Sequence, residues 1–257
     1  MAPLIGKAAV CAAAVAGAAA SSSSFLHAGR AQGDACACLK WKEVYATGGV
    51  KCGMTNEYRI ATHKSSLAGV ELFVAGLALG GEFCSRFYQT LDDNVCVNLN
   101  MGRDEGQWCY VSQECTDLRG GAPVPHMEVA WKACGEQDRR LRDKTPEQLA
   151  SFAAAGNFDL GLLHKMSYPL YQTRLWGDVE AAWSPEKSAQ DLPADIRQEL
   201  EEIKSSGKPY SFDTAKDNHP PHRIVVGSKV YAVSRGPNAG INPGSWQQLT
   251  CVIGCDK

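Results

Sequence analysis

Apolar residues recur at helical spacing in several parts of this chain. Phe83, Phe87 and Leu91 come every four residues with Cys84 and Tyr88 alongside, which predicts an amphipathic helix over 82–91 with a cysteine on its core side. Asp92, Asp93 and Asn94 then read as a turn. Thr145, Pro146 and Gln148 supply a cap, a first-turn proline and a capping-box partner, so a helix is expected to run to Ala155 and close at Gly156. Asp159 caps a further helix from Leu160 to about Met166, stopped by Pro169. Pro193 opens another, in which Ile196, Leu200 and Ile203 form the apolar stripe, Glu199, Glu201 and Glu202 the wet face, and Gly207 the end.

Strand signals are fewer. Residues 223–226 and 229–233, joined by Gly227 and Ser228, predict a hairpin with a glycine-first turn. Residues 248–253 make a final strand bearing Cys251, and the polar, proline-bearing stretch between Lys204 and Pro221 reads as a loop. In an extended segment Cys36 and Cys38 point to opposite faces and need different partners. The stretch from Val70 to Leu79 fits a buried strand or an apolar helix.

The cysteines divide the chain. A leader over residues 1–31 has one early positive charge, Lys7, an apolar run from Ala8 to Ala20, and small residues at its exit, the layout of a cleaved secretory signal peptide. That run is shorter than the roughly 20 residues a membrane helix needs, so no span is expected after cleavage. Cys11 leaves with the leader, and of the 11 cysteines an even set remains. Cys36, Cys38, Cys52, Cys84, Cys96, Cys109, Cys115 and Cys134 fall in a disulfide-rich region, 34–134; residues 135–250 hold none, and Cys251 and Cys255 close the region 135–257. The expected fold class is α+β: a disulfide-rich N-terminal half packed with a cysteine-free helical half and a C-terminal β-hairpin and strand. Cys251 and Cys255 are so close in sequence that at least one is expected to reach back to Cys36 or Cys38 and tie the halves together. Zinc is the structural rival to disulfides, and the spacing argues against it, since no C-x-x-C knuckle occurs.

Composition and motifs exclude more than they assign. A net charge of −2 offers no basic stripe for nucleic acid. No G-x-S-x-G elbow, H-E-x-x-H pair or phosphate loop occurs, and even cysteine parity leaves no obvious thiol nucleophile. His219 and His222, separated by two prolines, are metal candidates with Asp213 or Asp217 as a further ligand. The Asn/Asp cluster from Asp92 to Glu105 lacks the loop pattern of an EF-hand. Glu136, Asp159 and Asp178 are the carboxylates from which a hydrolase would draw an acid/base pair.

Two resemblances add to this. Asn94 to Asn98 followed by Gln107, Trp108, Cys109, Tyr110 and Cys115 resembles the rhythm of kringle and fibronectin type II modules. That resemblance implies that Trp108 and Tyr110 line a shallow binding face; packing against the disulfides as core is the alternative. The leader, the CxCLxWKEVY pattern from Cys36 to Tyr45, and the segment Gln107 to Cys115 followed by Leu141 to Leu149 resemble a group of uncharacterised cysteine-rich secretory-route proteins of dinoflagellate algae. That group carries no established activity. The Ser-rich, acid-free stretch from Ser21 to Gly33, with Arg30, keeps a plastid-lumen route open beside plain secretion. The functional expectation is an exported noncatalytic protein that binds a protein or glycan partner without a cofactor; a secreted hydrolase and an accessory subunit of a plastid complex are the alternatives.

Overall fold

A computed structural model describes residues 34–57, 83–100, 104, 106–216, 221–235 and 247–255. The leader over 1–31, the stretch from Val70 to Leu79, and His219 with Asp217 lie outside the described residues. Helix α1 (Trp41–Thr47) presses Trp41 and Val44 inward and leaves its charged side chains outside. It packs on an antiparallel sheet of order β1-β2-β4-β3, built from β1 (Val97–Asn98), β2 (Gln107–Ser112), β3 (Ala122–Pro123) and β4 (Val129–Ala133). All six residues of β2 are buried, so it lacks the apolar/polar alternation by which a strand is usually recognised. Trp41 stands edge-on to Trp108 and Tyr110 and beside Tyr88, and its indole N–H donates to the Val95 carbonyl at 2.7 Å.

The helix expected over 82–91 is one wide π-turn, Cys84–Tyr88, closed by the Gln89 N–H on the Cys84 carbonyl. The wider turn brings Cys84, Phe87 and Tyr88 inward together. Helices α2 (Pro146–Gly156) and α3 (Leu160–Lys165) follow with the caps the sequence predicts: Thr145 and Gln148 form the capping box, and the Asp159 carboxylate accepts the Leu162 N–H. Helix α2 runs through Gly156, and Asn157 takes the left-handed cap at φ 54°. Gly156 is constrained by packing, since a Cβ there would run into the Phe158 ring.

Strand β5 (Leu170–Tyr171), short helix α4 (Trp176–Val179) and helix α5 (Ala194–Ser206) come next. Helix α5 buries Ile196, Leu200 and Ile203 and ends at Gly207 in the left-handed region. The polar stretch after it contains β6 (Tyr210–Asp213), a strand where a loop is expected. Its Ser211 and Asp213 are buried polar residues, which is why it reads as a linker. Strand β6 lies parallel to β5 and antiparallel to β7 (His222–Val226), and the sheet continues through β8 (Lys229–Arg235) and β9 (Gln247–Ile253). Phe212, Trp176 and Trp183 pack with the apolar stripe of α5 as a second cluster. The larger cluster joins Trp41, Trp108 and Leu141 to Leu163, Tyr168, Ile224 and Tyr231, so residues from both sequence halves share it. Gly33–Lys257 form one compact unit.

The disulfides are Cys36–Cys115, Cys38–Cys109, Cys52–Cys84, Cys96–Cys134 and Cys251–Cys255. The expected tie from Cys251 or Cys255 to Cys36 or Cys38 is therefore absent. Gly254, at φ 67°, turns the chain back so that Cys255 meets Cys251 with 6.0 Å between Cα atoms, and the two N-terminal cysteines already have partners. The halves are held by burial and hydrogen bonds. Loop-closure entropy makes the C-terminal bridge the weakest contributor, about 2 kcal/mol against about 4 for the long-loop bridges. We expect Cys251→Ser/Cys255→Ser to lose about half as much unfolding free energy as Cys38→Ser/Cys109→Ser, measured by urea titration. Peptide mapping without reduction checks the connectivity; a peptide containing Cys251 or Cys255 linked to one containing Cys36 or Cys38 would contradict it.

Candidate functional site

Trp108 and Tyr110 do not form a binding face. Both are 0% exposed, with ring centroids 5.0 Å apart and the Trp41 indole against each. The Tyr110 hydroxyl meets the buried Glu57 carboxylate at 2.6 Å, and the Tyr45 hydroxyl donates to the same oxygen at 2.7 Å. Burial first, and the Glu57 charge next, push both phenols well above their ordinary range. They are neutral hydrogen-bond donors held in place, with no surface left for a ligand. The alternation that puts Trp108 and Tyr110 on one side of β2 is real, but that side is covered by α1.

A cleft lies beside α5, with a volume of about 660 Å³. Helical spacing places Glu199, Glu202, Ile203 and Ser206 along one face of α5, and β5 and β6 bring Tyr171 and Tyr210 to the same opening. The Tyr171 hydroxyl donates to Glu199 at 3.0 Å. Its phenol is pushed up to about 12, by burial first and then by the bond to Glu199 and its charge. Tyr210 is raised too, by burial and then by the charge of Asp104, which Arg142 holds at 2.8 Å. Lys208 is the single cation among the lining residues. Ionised carboxylates accept hydrogen bonds and cannot donate them, so this lining favours a ligand rich in hydroxyl or amine donors and disfavours an anion. Glu136, Asp159 and Asp178 do not line it; Asp159 is spent as the cap of α3.

His222 lies in a different setting. It is 1% exposed at the start of β7, opposite Asp213, with its Nδ1 3.3 Å from the Asp213 carboxylate. Lys165 holds the same carboxylate oxygen at 2.8 Å, and the His164 ring stands edge-on 5.0 Å away. A lysine ammonium on the Asp213 carboxylate opposes metal binding by His222 with Asp213; His219 and Asp217 lie outside the described residues. His164 Nδ1 also meets the Ser211 hydroxyl at 2.8 Å, but both residues are 0% exposed and a substrate cannot reach the pair. This cluster joins α3 to β6 and β7 as a structural network.

No protein-family model, curated protein or solved structure matches this chain.

Burial, followed by the bond to Asp213 that opposes it and the Lys165 charge that adds to it, leaves the His222 imidazole below its ordinary range. The unfolded chain therefore takes up a proton below about pH 6.5 that the folded chain refuses, and stability falls as pH drops from there toward the folded value. Urea titrations at about pH 7.5 and about pH 5.5 should show a lower midpoint in the acid, with a smaller difference in His222→Gln. An unchanged difference in the variant would remove His222 as the cause.

Proposed function

We propose that this protein is an exported noncatalytic binding protein that takes a glycan in the cleft beside α5. The observation that carries this reading is the pairing, in one opening, of the half-buried Tyr210 ring with the exposed carboxylates of Glu199 and Glu202. An aromatic face suits the apolar C–H side of a sugar ring, while carboxylates accept from its hydroxyls. The absence of an exposed Trp108 face moves the binding role away from the resemblance that first suggested it. The role itself keeps its support from the cleft.

Five disulfides, with no helix among the described residues long and apolar enough to cross a membrane, fit a secreted or lumenal protein. Within that class our reading is plain secretion, supported by the leader over 1–31, and a plastid lumen is the alternative. Sequencing the N-terminus of the mature protein separates them: a start near Asp34 or before it supports secretion, and a start well beyond it implies a further transit segment.

The binding proposal is tested by screening the purified protein against immobilised neutral and amino-sugar oligosaccharides, then measuring affinity by calorimetry. Glu202→Ala and Tyr210→Ala should each weaken binding about tenfold, the loss of roughly one good contact, and Glu202→Ala should leave thermal stability unchanged. Failure to bind any oligosaccharide, or full affinity in both variants, would overturn the reading. Cleavage of the bound oligosaccharide would replace it with the hydrolase alternative.

A further inference from the structure

Four sulfurs from separate parts of the chain meet in the N-terminal half. The Sγ atoms of Cys38, Cys96, Cys109 and Cys134 all lie within 4.8 Å of one another. They are joined here as Cys38–Cys109 and Cys96–Cys134, yet the unbonded sulfurs of Cys38 and Cys96 are only 3.6 Å apart. In a tetrahedral zinc–thiolate site, bonds of about 2.3 Å place neighbouring sulfurs about 3.8 Å apart. The unbonded pair already stands at nearly that spacing, and rotation about the Cα–Cβ bonds would bring the bonded pairs to it.

Main-chain hydrogen bonds position the four residues. Cys109 is fixed within β2 opposite Lys132 of β4. The Cys96 N–H donates to the Arg139 carbonyl at 2.8 Å, and the Cys134 N–H donates to the Gln107 carbonyl at 2.7 Å. Cys38 is anchored through its neighbour, since the Leu39 N–H donates to the Tyr110 carbonyl at 2.7 Å. Cys96 and Cys109 are fully buried, whereas Cys38 lines a pocket of about 460 Å³ together with Arg119, Lys132 and Arg139. That pocket gives an ion an entry path; its cations Arg119, Lys132 and Arg139 are paired with Asp117, Asp138 and Asp93.

We propose that the reduced chain binds one zinc ion through the thiolates of Cys38, Cys96, Cys109 and Cys134, so that this core has a two-disulfide form and a metal form. Passage between them balances as follows. A phosphine reductant with one water per disulfide is oxidised to the phosphine oxide, each S–S bond opens to two thiols, and zinc then displaces four protons as four Zn–S bonds form. Cysteine spacing argues against zinc because knuckle motifs are local; here the fold collects the ligands from N-terminal segment, β1 approach, β2 and the end of β4.

The test uses the full chain reduced with a phosphine without air and titrated with cobalt(II), then with zinc(II). The expected result is one equivalent of cobalt with the intense visible bands of a tetrahedral thiolate site, bleached by one equivalent of zinc. Cys52→Ser/Cys84→Ser should keep the bands and Cys96→Ser/Cys134→Ser should lose them. A readout that needs no variant is alkylation of the reduced wild-type chain with and without zinc. Zinc should slow labelling of Cys38, Cys96, Cys109 and Cys134 roughly tenfold or more while the other six cysteines of the mature region react as before. Absence of tetrahedral bands, or equal labelling with and without zinc, would overturn the proposal.

Discussion

Both faces of β2 are closed to water, and the rest of the molecule is arranged around that strand. One face carries Trp108 and Tyr110 into the rings of Trp41, Tyr45 and Tyr88; the other carries Gln107, Cys109 and Val111. Removing a buried tryptophan of this kind typically costs about 3 to 5 kcal/mol, a large fraction of a domain's net stability. The four long-loop disulfides restrict the unfolded chain, but the strand's burial decides which chain segments they join. Cys109 reaches Cys38 because Leu39 is hydrogen-bonded to Tyr110, and Cys96 reaches Cys134 because the Cys96 backbone is bonded to Arg139 and Leu141, just beyond β4.

The same strand joins the two halves. The Gln107 side-chain amide donates to the Asn98 side-chain oxygen and to the Ser167 carbonyl, and the Asn98 amide donates to the carbonyls of Lys165 and Tyr168. These buried amides satisfy the Lys165 carbonyl, left without an internal partner at the end of α3, and the Ser167 and Tyr168 carbonyls just beyond it. Lys165 leaves that corner and pairs with Asp213, which sets β6, while β5 follows directly from Pro169. The cleft beside α5 is therefore positioned through a polar joint, with no disulfide from one half to the other among the described residues.

What was legible in the sequence was local. The Thr145 and Asp159 caps, the stripe of Ile196, Leu200 and Ile203, and the hairpin turn at Gly227 are each fixed by residues within a few positions of one another. Strand β2 was hidden because residues buried on both faces show no alternation, and β6 because Ser211 and Asp213 serve a buried network. Pairing across long loops was also out of reach, so neither the four-sulfur cluster nor the Cys251–Cys255 bridge could be read from spacing. The kringle-like rhythm around Trp108 implied an exposed face, whereas Trp108 and Tyr110 are buried. The cleft gathers residues from β5, α5 and β6, and the intervals between them are set by packing alone.

Amide hydrogen exchange at single-residue resolution on the oxidised native chain tests the central role of β2 most directly. The backbone amides from Trp108 to Val111 should be among the slowest to exchange, opening only with global unfolding, and more protected than those of β7 and β8. Exchange of the β2 amides through a cheaper, local opening, with β7 and β8 left protected, would contradict the account.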